Sequence, residues 1–393
     1  MTRLKMIPQN VTIGTLASFI CLLMAGFVHA EVAAGARQVT FGGHQPSITI
    51  APARIIAIPE ATNPHRRAPF RVDNNAPSLW IDGKLIVFHS WENIWRAGGN
   101  SLDSLSGDEM TRFVNPKLNY LWFWLESAFR PDGRTVYGYY HQEVPNICPP
   151  RKGVVAPGYP VIAVIGAVRS RDEGKSWEDL GTILGGNDSE MKCESGSPWF
   201  AGGTGDFNAS VDHDGKYYYF YFANYTPEVG EQGLSVARLA ASDLDIPVGK
   251  VQRWYQGAWR EPGLGGHATP IWPATVDIYR PNGQIFWGPV IHFNTYLGKY
   301  VMIVNQTQDA SWATEGIYMS FSDDVGNPQS WSPPIKIMDR AEAMRGDASK
   351  PRWNGWYASL AGTGPGETDK QASQKARLFI DGVSRWEISF HKP

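Results

Sequence analysis

One pattern recurs along this chain: a strand, a tight turn and a second strand. The turns "IDGK", "PDGR" and "HDGK" are typical of β-hairpins, because aspartate and glycine both tolerate the left-handed backbone that such turns require. Repeated supersecondary units at intervals of tens of residues predict a propeller or a solenoid. The copies span residues 76–90, 124–143, 205–225 and 288–306, with a weaker one divided between 356–363 and 376–390.

A second motif, "SRDEGKSW", follows the apolar run "VIAVIGAV" and predicts a turn between two strands. We expect Asp172 to accept hydrogen bonds from the turn, Gly174 to supply a positive φ and Trp177 to re-enter the sheet as an apolar plug. "SFSDDVGNPQSW" repeats the motif with two inserted residues, and "ASDLDIPVGKVQRW" is an eroded third copy. Every part of this motif is structural, so the active site is expected elsewhere.

The motif resembles the Asp-box of sialidase-like β-propellers, and the overall layout resembles the five-bladed glycosidases of the arabinanase and invertase type. The resemblance implies an all-β fold, a single five-bladed β-propeller domain over residues 46–393. A strand in "PSITIAPARIIAI" is expected to complete the last blade, since ring closure removes exposed sheet edges. The segment "EPGLGGHATPIWPATVDIY" fits no blade.

Length and composition agree with this interpretation. The chain has 393 residues, a length that all-β propellers reach as single domains, and its 41 glycines and 28 prolines indicate many turns. Charged residues make up 19% of the chain and form no block of like sign, so nucleic acid is not an expected partner.

The N-terminus has the features of a secretory signal peptide over residues 1–30. Arg3 and Lys5 precede a long apolar stretch, which ends in the small-x-small sequence Val28-His29-Ala30. We expect cleavage after Ala30, a short leader over residues 31–45, and a periplasmic or secreted protein without stable membrane insertion. An uncleaved membrane anchor is the less favoured alternative.

Cys148 and Cys193 are the two cysteines outside the signal peptide, and each lies in a loop rich in proline, glycine or serine. An exported chain with two cysteines is expected to pair them. The closed loop of about 45 residues would contribute roughly 4 kcal/mol in the chain-entropy model.

Up-and-down blades bring the starts of first strands and the ends of second strands to one face of the disc. The residues at these points are carboxylates, imidazoles, amides and aromatics, a mixture that suits sugars. They are Asp73, Asn74, Asn75, His89, Glu126, His141, Glu143, Asp206, Asn208, Asn224, Tyr225, Trp287, His292, Asn294 and Asn305.

Glu126 and Asp206 are the predicted catalytic pair. They occupy matching strand starts in neighbouring units, and glycoside hydrolysis needs one protonated and one ionised carboxyl group. Glu143 is the reserve for the acid. The alternative is that each carboxylate caps a turn, which is the commoner fate of a single Asp or Glu.

The other site predictions concern substrate contacts. No cofactor is expected. A histidine pair without further ligands is weak evidence for a metal in the channel, and sugar contacts are favoured for His141 and His292. Trp287 fits a sugar platform and a core residue equally well. The predicted substrate-binding residues are Asn75, His141, Asn208, Tyr225, Trp287, His292, Asn294 and Arg385.

The catalytic resemblance is partial, so three functions stay open. Ala76 and Trp287 stand where the arabinanase pattern has carboxylates, and Arg385 is a single candidate for the arginine triad that sialidase chemistry needs. The first reading is an exported glycoside hydrolase acting on an oligo- or polysaccharide, with inversion expected. The alternatives are a propeller that binds glycans without cleaving them and a polysaccharide lyase that uses His141 or His292 with a tyrosine.

Overall fold

The computed structural model describes residues 35–59, 72–91, 93–114, 122–186, 191–345 and 355–393. Alternating apolar and polar residues, rich in β-branched and aromatic types, make nearly all of its regular structure β. No helix in these ranges is long and apolar enough to cross a membrane. The signal-peptide prediction lies outside the described residues.

The N-terminal strands join the C-terminal end of the chain. The second of them pairs antiparallel with the last strand of the protein, as Ile50 with Ile388, which is the ring closure that the sequence predicts. The first falls within the expected leader over residues 31–45 and pairs with the second instead of lying apart. They are β1 (Arg37–Thr40) and β2 (Ser47–Ala57).

The first two sheet units follow in chain order. Unit I is a four-stranded antiparallel meander, and unit II is a second meander with one further short strand paired parallel to its outer edge. Unit I contains β3 (Ser78–Ile81), β4 (Lys84–Trp91), β5 (Asn93–Gly99) and β6 (Ser106–Met110). The edge strand is β7 (Arg112–Val114), and unit II contains β8 (Trp124–Phe129), β9 (Val136–Val144), β10 (Val161–Ser170) and β11 (Ser176–Gly185).

Unit III repeats the meander and adds two short strands. The segment that fits no blade in the sequence lies here, and its Trp272–Pro273 strand pairs with the third strand of the unit. The strands are β12 (Phe200–Val211), β13 (Tyr217–Asn224), β14 (Gly233–Ala240), β15 (Gln252–Tyr255), β16 (Ala258–Pro262) and β17 (Trp272–Pro273).

Units IV and V complete the chain, and unit V takes β2 as its fourth strand. Unit IV contains β18 (Phe286–Asn294), β19 (Lys299–Thr307), β20 (Thr314–Ser322) and β21 (Ile335–Asp339), followed by the short helix α1 (Arg340–Ala343). Unit V contains β22 (Ser359–Gly362), β24 (Lys375–Ile380) and β25 (Val383–His391), while β23 (Gln371–Ala372) pairs with β18.

The innermost strands of the units are joined by polar side chains. Asn75 of unit I donates from its side-chain amide to the carbonyl of Phe207 in unit III at 2.8 Å. The Oδ1 of Asn208 accepts from the backbone N–H of Ile291 in unit IV at 3.2 Å. These bonds make the inner strands converge, so the predicted all-β propeller is confirmed. The division into five blades stays a prediction, because a parallel pairing of β10 with β12 merges units II and III into one sheet.

The motif at residues 170–177 forms the turn between β10 and β11, as predicted. Asp172 Oδ1 accepts from the backbone N–H of Ser176 at 2.8 Å, Gly174 has φ +81° and Trp177 is fully buried. The other two copies occupy the same place, between the third and fourth strands of units III and IV. All three are therefore structural turns.

Candidate active site

The inner strands are interrupted at one matching point. The ladder between β8 and β9 skips Glu126, and the ladder between β12 and β13 skips Asp206, which has a φ of 41°. Ala76 and Tyr357, just before the inner strands of units I and V, have φ values of 51° and 49°. Bulges and left-handed non-glycine residues cost energy and cluster at functional sites, where they re-aim side chains.

Asp206 is the best-supported carboxylate of the site. The hydroxyl of Tyr357 donates to its Oδ1 at 2.9 Å, and the hydroxyl of Tyr225 donates to its Oδ2. Burial raises the pKa of Asp206 above its usual value, and the two tyrosine hydroxyls act in the opposite direction. These donors favour the ionised form of a carboxyl group that is only 4% exposed.

His141 links Asp206 to Glu143. Its Nδ1 accepts from the backbone N–H of Asp206 at 2.8 Å, so the proton of the neutral ring lies on Nε2, which is 3.7 Å from Glu143 Oε1. Burial opposes protonation of His141, but the carboxylates of Asp206 and Glu143 raise its pKa. A second proton would break the bond at Nδ1, so we assign the neutral tautomer. A Cβ at Gly205 would overlap this ring, which explains the glycine there.

Asp73 is the carboxylate that the predicted catalytic set omits. It lies on the segment leading into unit I and is partly exposed. Burial, followed by the charges of Glu143 and Asp206, raises its pKa to about 7. A carboxyl group with this pKa holds a proton for part of the time at neutral pH, as a general acid requires. Its position at a strand start was visible in the sequence, but its charge environment was not.

Glu126 reaches the same cluster but is sealed from solvent. Its exposed fraction is 0%, and its Oε2 accepts from the backbone N–H of Asn75 at 2.9 Å. Among the described residues, no group hydrogen-bonds to its Oε1. Burial raises its pKa well above the usual value, and Asp206 and Asp73 raise it further. Glu126 therefore cannot touch a sugar in this conformation, and its predicted catalytic role stays untested.

Four aromatic rings surround the cluster: Tyr159 is buried, whereas Trp122, Trp199 and Trp356 are partly exposed. Tyr159 donates a hydrogen bond to Glu143, and its ring centroid lies 5.9 Å from that of Trp199. Trp199 meets Trp356 at 5.8 Å, and Trp122 stacks on Tyr159 at 6.3 Å. We call these four residues the aromatic wall. Aromatic faces pack well against the C–H surfaces of sugars, and the sequence analysis did not predict this wall or Tyr357.

The predicted loop disulfide supports the wall. Cys148 and Cys193 are bonded with a Cα–Cα distance of 5.4 Å, and the two loops that they join lead to Tyr159 and Trp199. Arg151 adds a hydrogen bond to the carbonyl of Ser195 at 2.7 Å.

Four predicted substrate contacts are buried supports instead. Trp287 is 1% exposed and packs beneath Trp356 and Tyr357, which makes it a core residue. Tyr225 is fully buried and orients Asp206. The side-chain amides of Asn75 and Asn208 join inner strands by donating hydrogen bonds to backbone carbonyl groups.

Three further predictions do not match the cluster. Asn294 ends β18 and binds the turn at Leu297, about 23 Å along the strand from Trp287. His292 is 1% exposed, packs on Phe390, and has a pKa lowered by burial to about 3. The sugar contact that the sequence favours for His292 stays a prediction. Arg385 lies on β25, and its role stays a prediction.

The chain matches no protein-family model, and no curated protein resembles it in sequence. The solved structures that are similar in fold include the following three. An endo-arabinase from Bacteroides thetaiotaomicron has a TM-score of 0.45 and 13% identity, with 86% of this chain and 97% of that chain covered. An α-L-arabinofuranosidase from Podospora anserina in complex with cellotriose has a TM-score of 0.47 and 11% identity, with 86% and 95% covered.

The third is an exo-β-1,3-galactanase from Phanerochaete chrysosporium with β-1,3-galactotriose. It has a TM-score of 0.44 and 11% identity, with 86% of this chain and 64% of that chain covered. All three TM-scores are below 0.5, and the function proposed below depends on the residues of this chain alone. None of the three is a sialidase, so the resemblance to that family stays a prediction.

Proposed function

We propose that this protein hydrolyses glycosidic bonds of an oligo- or polysaccharide, with Asp73 as proton donor and Asp206 as the ionised partner. The observation that carries the proposal is the charge pairing at one site. Asp73 is partly exposed with a pKa of about 7. Asp206 accepts from two tyrosine hydroxyls, which favour its ionised form against the opposing effect of burial. Two carboxyl groups in different protonation states are what glycoside hydrolysis needs.

The remaining carboxylates support this pair. Glu143 accepts a hydrogen bond from Tyr159 and faces the Nε2 of His141, so it keeps that ring oriented towards Asp206. Glu126 is sealed from solvent, and burial raises its own pKa well above the usual value. The partly exposed tryptophans of the aromatic wall would hold the sugar next to the pair.

The same charges favour a neutral sugar as substrate. The carboxylate of Asp206, with Glu143 next to it, would repel the carboxylate of a uronate. The pKa values of Tyr225 and Tyr357 are raised well above 10 by burial and by Asp206, so neither tyrosine is an available base. A polysaccharide lyase is therefore the weakest of the three functions.

The test is a screen of the purified protein against neutral polysaccharides, with reducing ends measured as product. Asp73→Asn and Asp206→Asn should each lower kcat by a factor on the order of 10² or more. Proton NMR of the first anomer released tests the expected inversion of configuration. New ultraviolet-absorbing ends would favour the lyase, and unchanged turnover in both variants would contradict the proposal.

A glycan-binding propeller without catalysis is the second candidate. The burial of Glu126 and Asp206 favours it, together with Ala76 and Trp287 at two points where the arabinanase pattern has carboxylates. If the protein only binds glycans, the bound glycan keeps its chain length because it is not cleaved. Asp73→Asn should then leave the affinity for the glycan near that of wild type. Trp199→Ala should weaken glycan binding under both functions. It therefore tests whether the aromatic wall binds the glycan and does not distinguish the two functions.

We also propose export, supported by the charged and apolar N-terminus and by the Cys148–Cys193 disulfide. Mass spectrometry of the mature protein should show a chain that begins near Glu31 and has no alkylatable cysteine. An intact Met1 would contradict it.

A further inference from the structure

A buried ammonium group lies next to the inner strands, on a segment that the site above does not use. Lys370 belongs to the stretch between β22 and β24 and keeps 15% of its side chain exposed. Its Nζ donates to Ser127 Oγ at 3.2 Å and to Asn208 Oδ1 at 3.1 Å. The same Asn208 donates from its side-chain amide to the carbonyl of Glu126 at 3.3 Å, so it links this cation to the residue of the sealed carboxyl group.

The segment around Lys370 contacts every other unit. The neighbouring Asp369 accepts from the backbone N–H of Ser78 in unit I at 2.8 Å. The carbonyl of Lys370 accepts from Phe293 N–H in unit IV at 3.0 Å. Because Ser127 and Asn208 belong to units II and III, one short stretch of unit V joins all five units where their inner strands converge.

Around Lys370, carboxyl groups outnumber cations. Lys370 faces Asp369, whose Oδ2 is 3.2 Å from Nζ, and Glu126. Glu126 in turn faces Asp206, Asp73 and Lys370. Among the described residues that shift the pKa of Glu126, Lys370 is the one cation. Its charge lowers that pKa, whereas Asp206 and Asp73 raise it.

We propose that Lys370 is a positioning residue, an internal counter-charge that packs behind Glu126 and offsets the negative charge of the carboxylate cluster. The effect of Lys370 on catalysis rests on the proposed function. Its effect on the stability of the folded protein is independent of that function. Removal of the ammonium should make ionisation of the cluster more costly, so the folded protein should lose stability as pH rises.

The test compares Lys370→Met with Lys375→Met. Lys375 is an exposed lysine that pairs with Glu387 away from the cluster, so it is a matched control. Lys370→Met should melt close to wild type at pH 4.5 and progressively lower towards pH 8, whereas Lys375→Met should follow wild type throughout. In a glycan hydrolysis assay, the acidic limb of kcat/KM for Lys370→Met should move up by about half to one pH unit.

Two further variants separate charge from packing. Lys370→Arg should restore most of the pH dependence of wild type. Glu126→Gln in the Lys370→Met background should remove much of the added pH dependence, because the affected carboxyl group is gone, and it serves as the test if the single variant does not fold. An equal loss of Tm at every pH would mean packing alone and would overturn the proposal.

The melting measurements keep this proposal distinct from the proposed function. If wild type hydrolyses no glycan but Lys370→Met shows the pH-dependent loss of Tm, the counter-charge stands and the hydrolase fails. If hydrolysis is found and the pH dependence of Tm and of kcat/KM is unchanged, the counter-charge fails alone.

Discussion

At the residue scale, the site depends on backbone conformations that side chains rarely adopt. Asp206 and Tyr357 both have φ values in the left-handed region, at 41° and 49°, and are joined by a hydrogen bond of 2.9 Å. Each such residue costs on the order of 1 kcal/mol or more, which the surrounding strands must offset. The result is a carboxylate with both oxygens held by phenol donors.

Loss of one donor should weaken the ionised form of Asp206. Tyr357→Phe is expected to lower kcat/KM by about 10- to 100-fold, because a hydrogen bond to a charged group is worth about 1.5–3 kcal/mol. The acidic limb of the pH–rate profile should move upwards. Tyr318→Phe is the control, since its hydroxyl binds Glu315 outside the site. Equal losses in both variants would contradict the assignment.

Asp73 should make stability depend on pH. Its pKa is raised from 3.8 to about 7 in the folded protein, so protonated Asp73 stabilises the fold below pH 4 and this contribution is lost between pH 4 and 7. Asp73→Asn removes the titration. It should therefore match wild type at pH 4 and exceed it at pH 8 by about 2–4 kcal/mol, measured by chemical denaturation. A variant less stable than wild type at pH 8 would show that Asp73 is ionised and paired.

At the element scale, one hairpin turn stabilises the fold, whereas two longer loops hold residues of the site. The turn between β10 and β11 contains the Ser170–Trp177 motif, whereas the loops after β9 and before β12 hold Tyr159 and Trp199 of the aromatic wall. Substitutions in these two places should consequently have different effects.

The turn should affect stability alone. Asp172 Oδ1 accepts from Ser176 N–H, and its Oδ2 accepts from the Ser176 hydroxyl at 2.6 Å. Asp172→Ala should cost on the order of 1–3 kcal/mol, while activity per folded molecule stays near wild type. A soluble variant with normal melting and no turnover would place the motif in the active site and overturn this prediction.

The disulfide should affect substrate binding as well as stability. Cys148→Ser with Cys193→Ser releases the loops of Tyr159 and Trp199, so KM should rise several-fold while kcat changes little. Unfolding free energy should fall by up to about 4 kcal/mol. A loss confined to kcat would indicate that the disulfide positions the carboxylates rather than the wall.

At the scale of the whole molecule, stability depends on a junction between the two ends of the chain. β2 supplies the fourth strand of unit V and leaves β25 without an open edge. An unpaired strand at this position would expose backbone donors and acceptors to other chains.

Truncation tests the junction. A chain that begins at Ile58 lacks β2 and should lose cooperative melting or aggregate. A chain that begins at Gln45 lacks β1 but keeps β2, so it should melt within a few degrees of the chain that begins at Gly35. Similar melting of the two shorter chains would show that closure contributes little.

The strand-and-turn pattern, the closure of the ring, the turn motif and the disulfide pair could all be predicted from the sequence. Each of these depends on local chemistry: an Asp-Gly turn, alternating apolar residues or the number of cysteines. The sequence also predicted Asp73, Glu126 and Asp206 at the starts of inner strands. Because blade geometry brings these strand starts to one face, the three residues were expected near one another.

The exposure and the charge state of these residues follow from the folded structure and could not be predicted from the sequence. Burial, which raises the pKa of a carboxyl group, depends on atoms from several units: Glu126 is sealed, whereas Asp73 stays partly open. Lys370 and Tyr357 come from unit V, far along the chain from the carboxylates they serve. No spacing in the sequence indicates contacts of this range, since they exist only once the ring has closed.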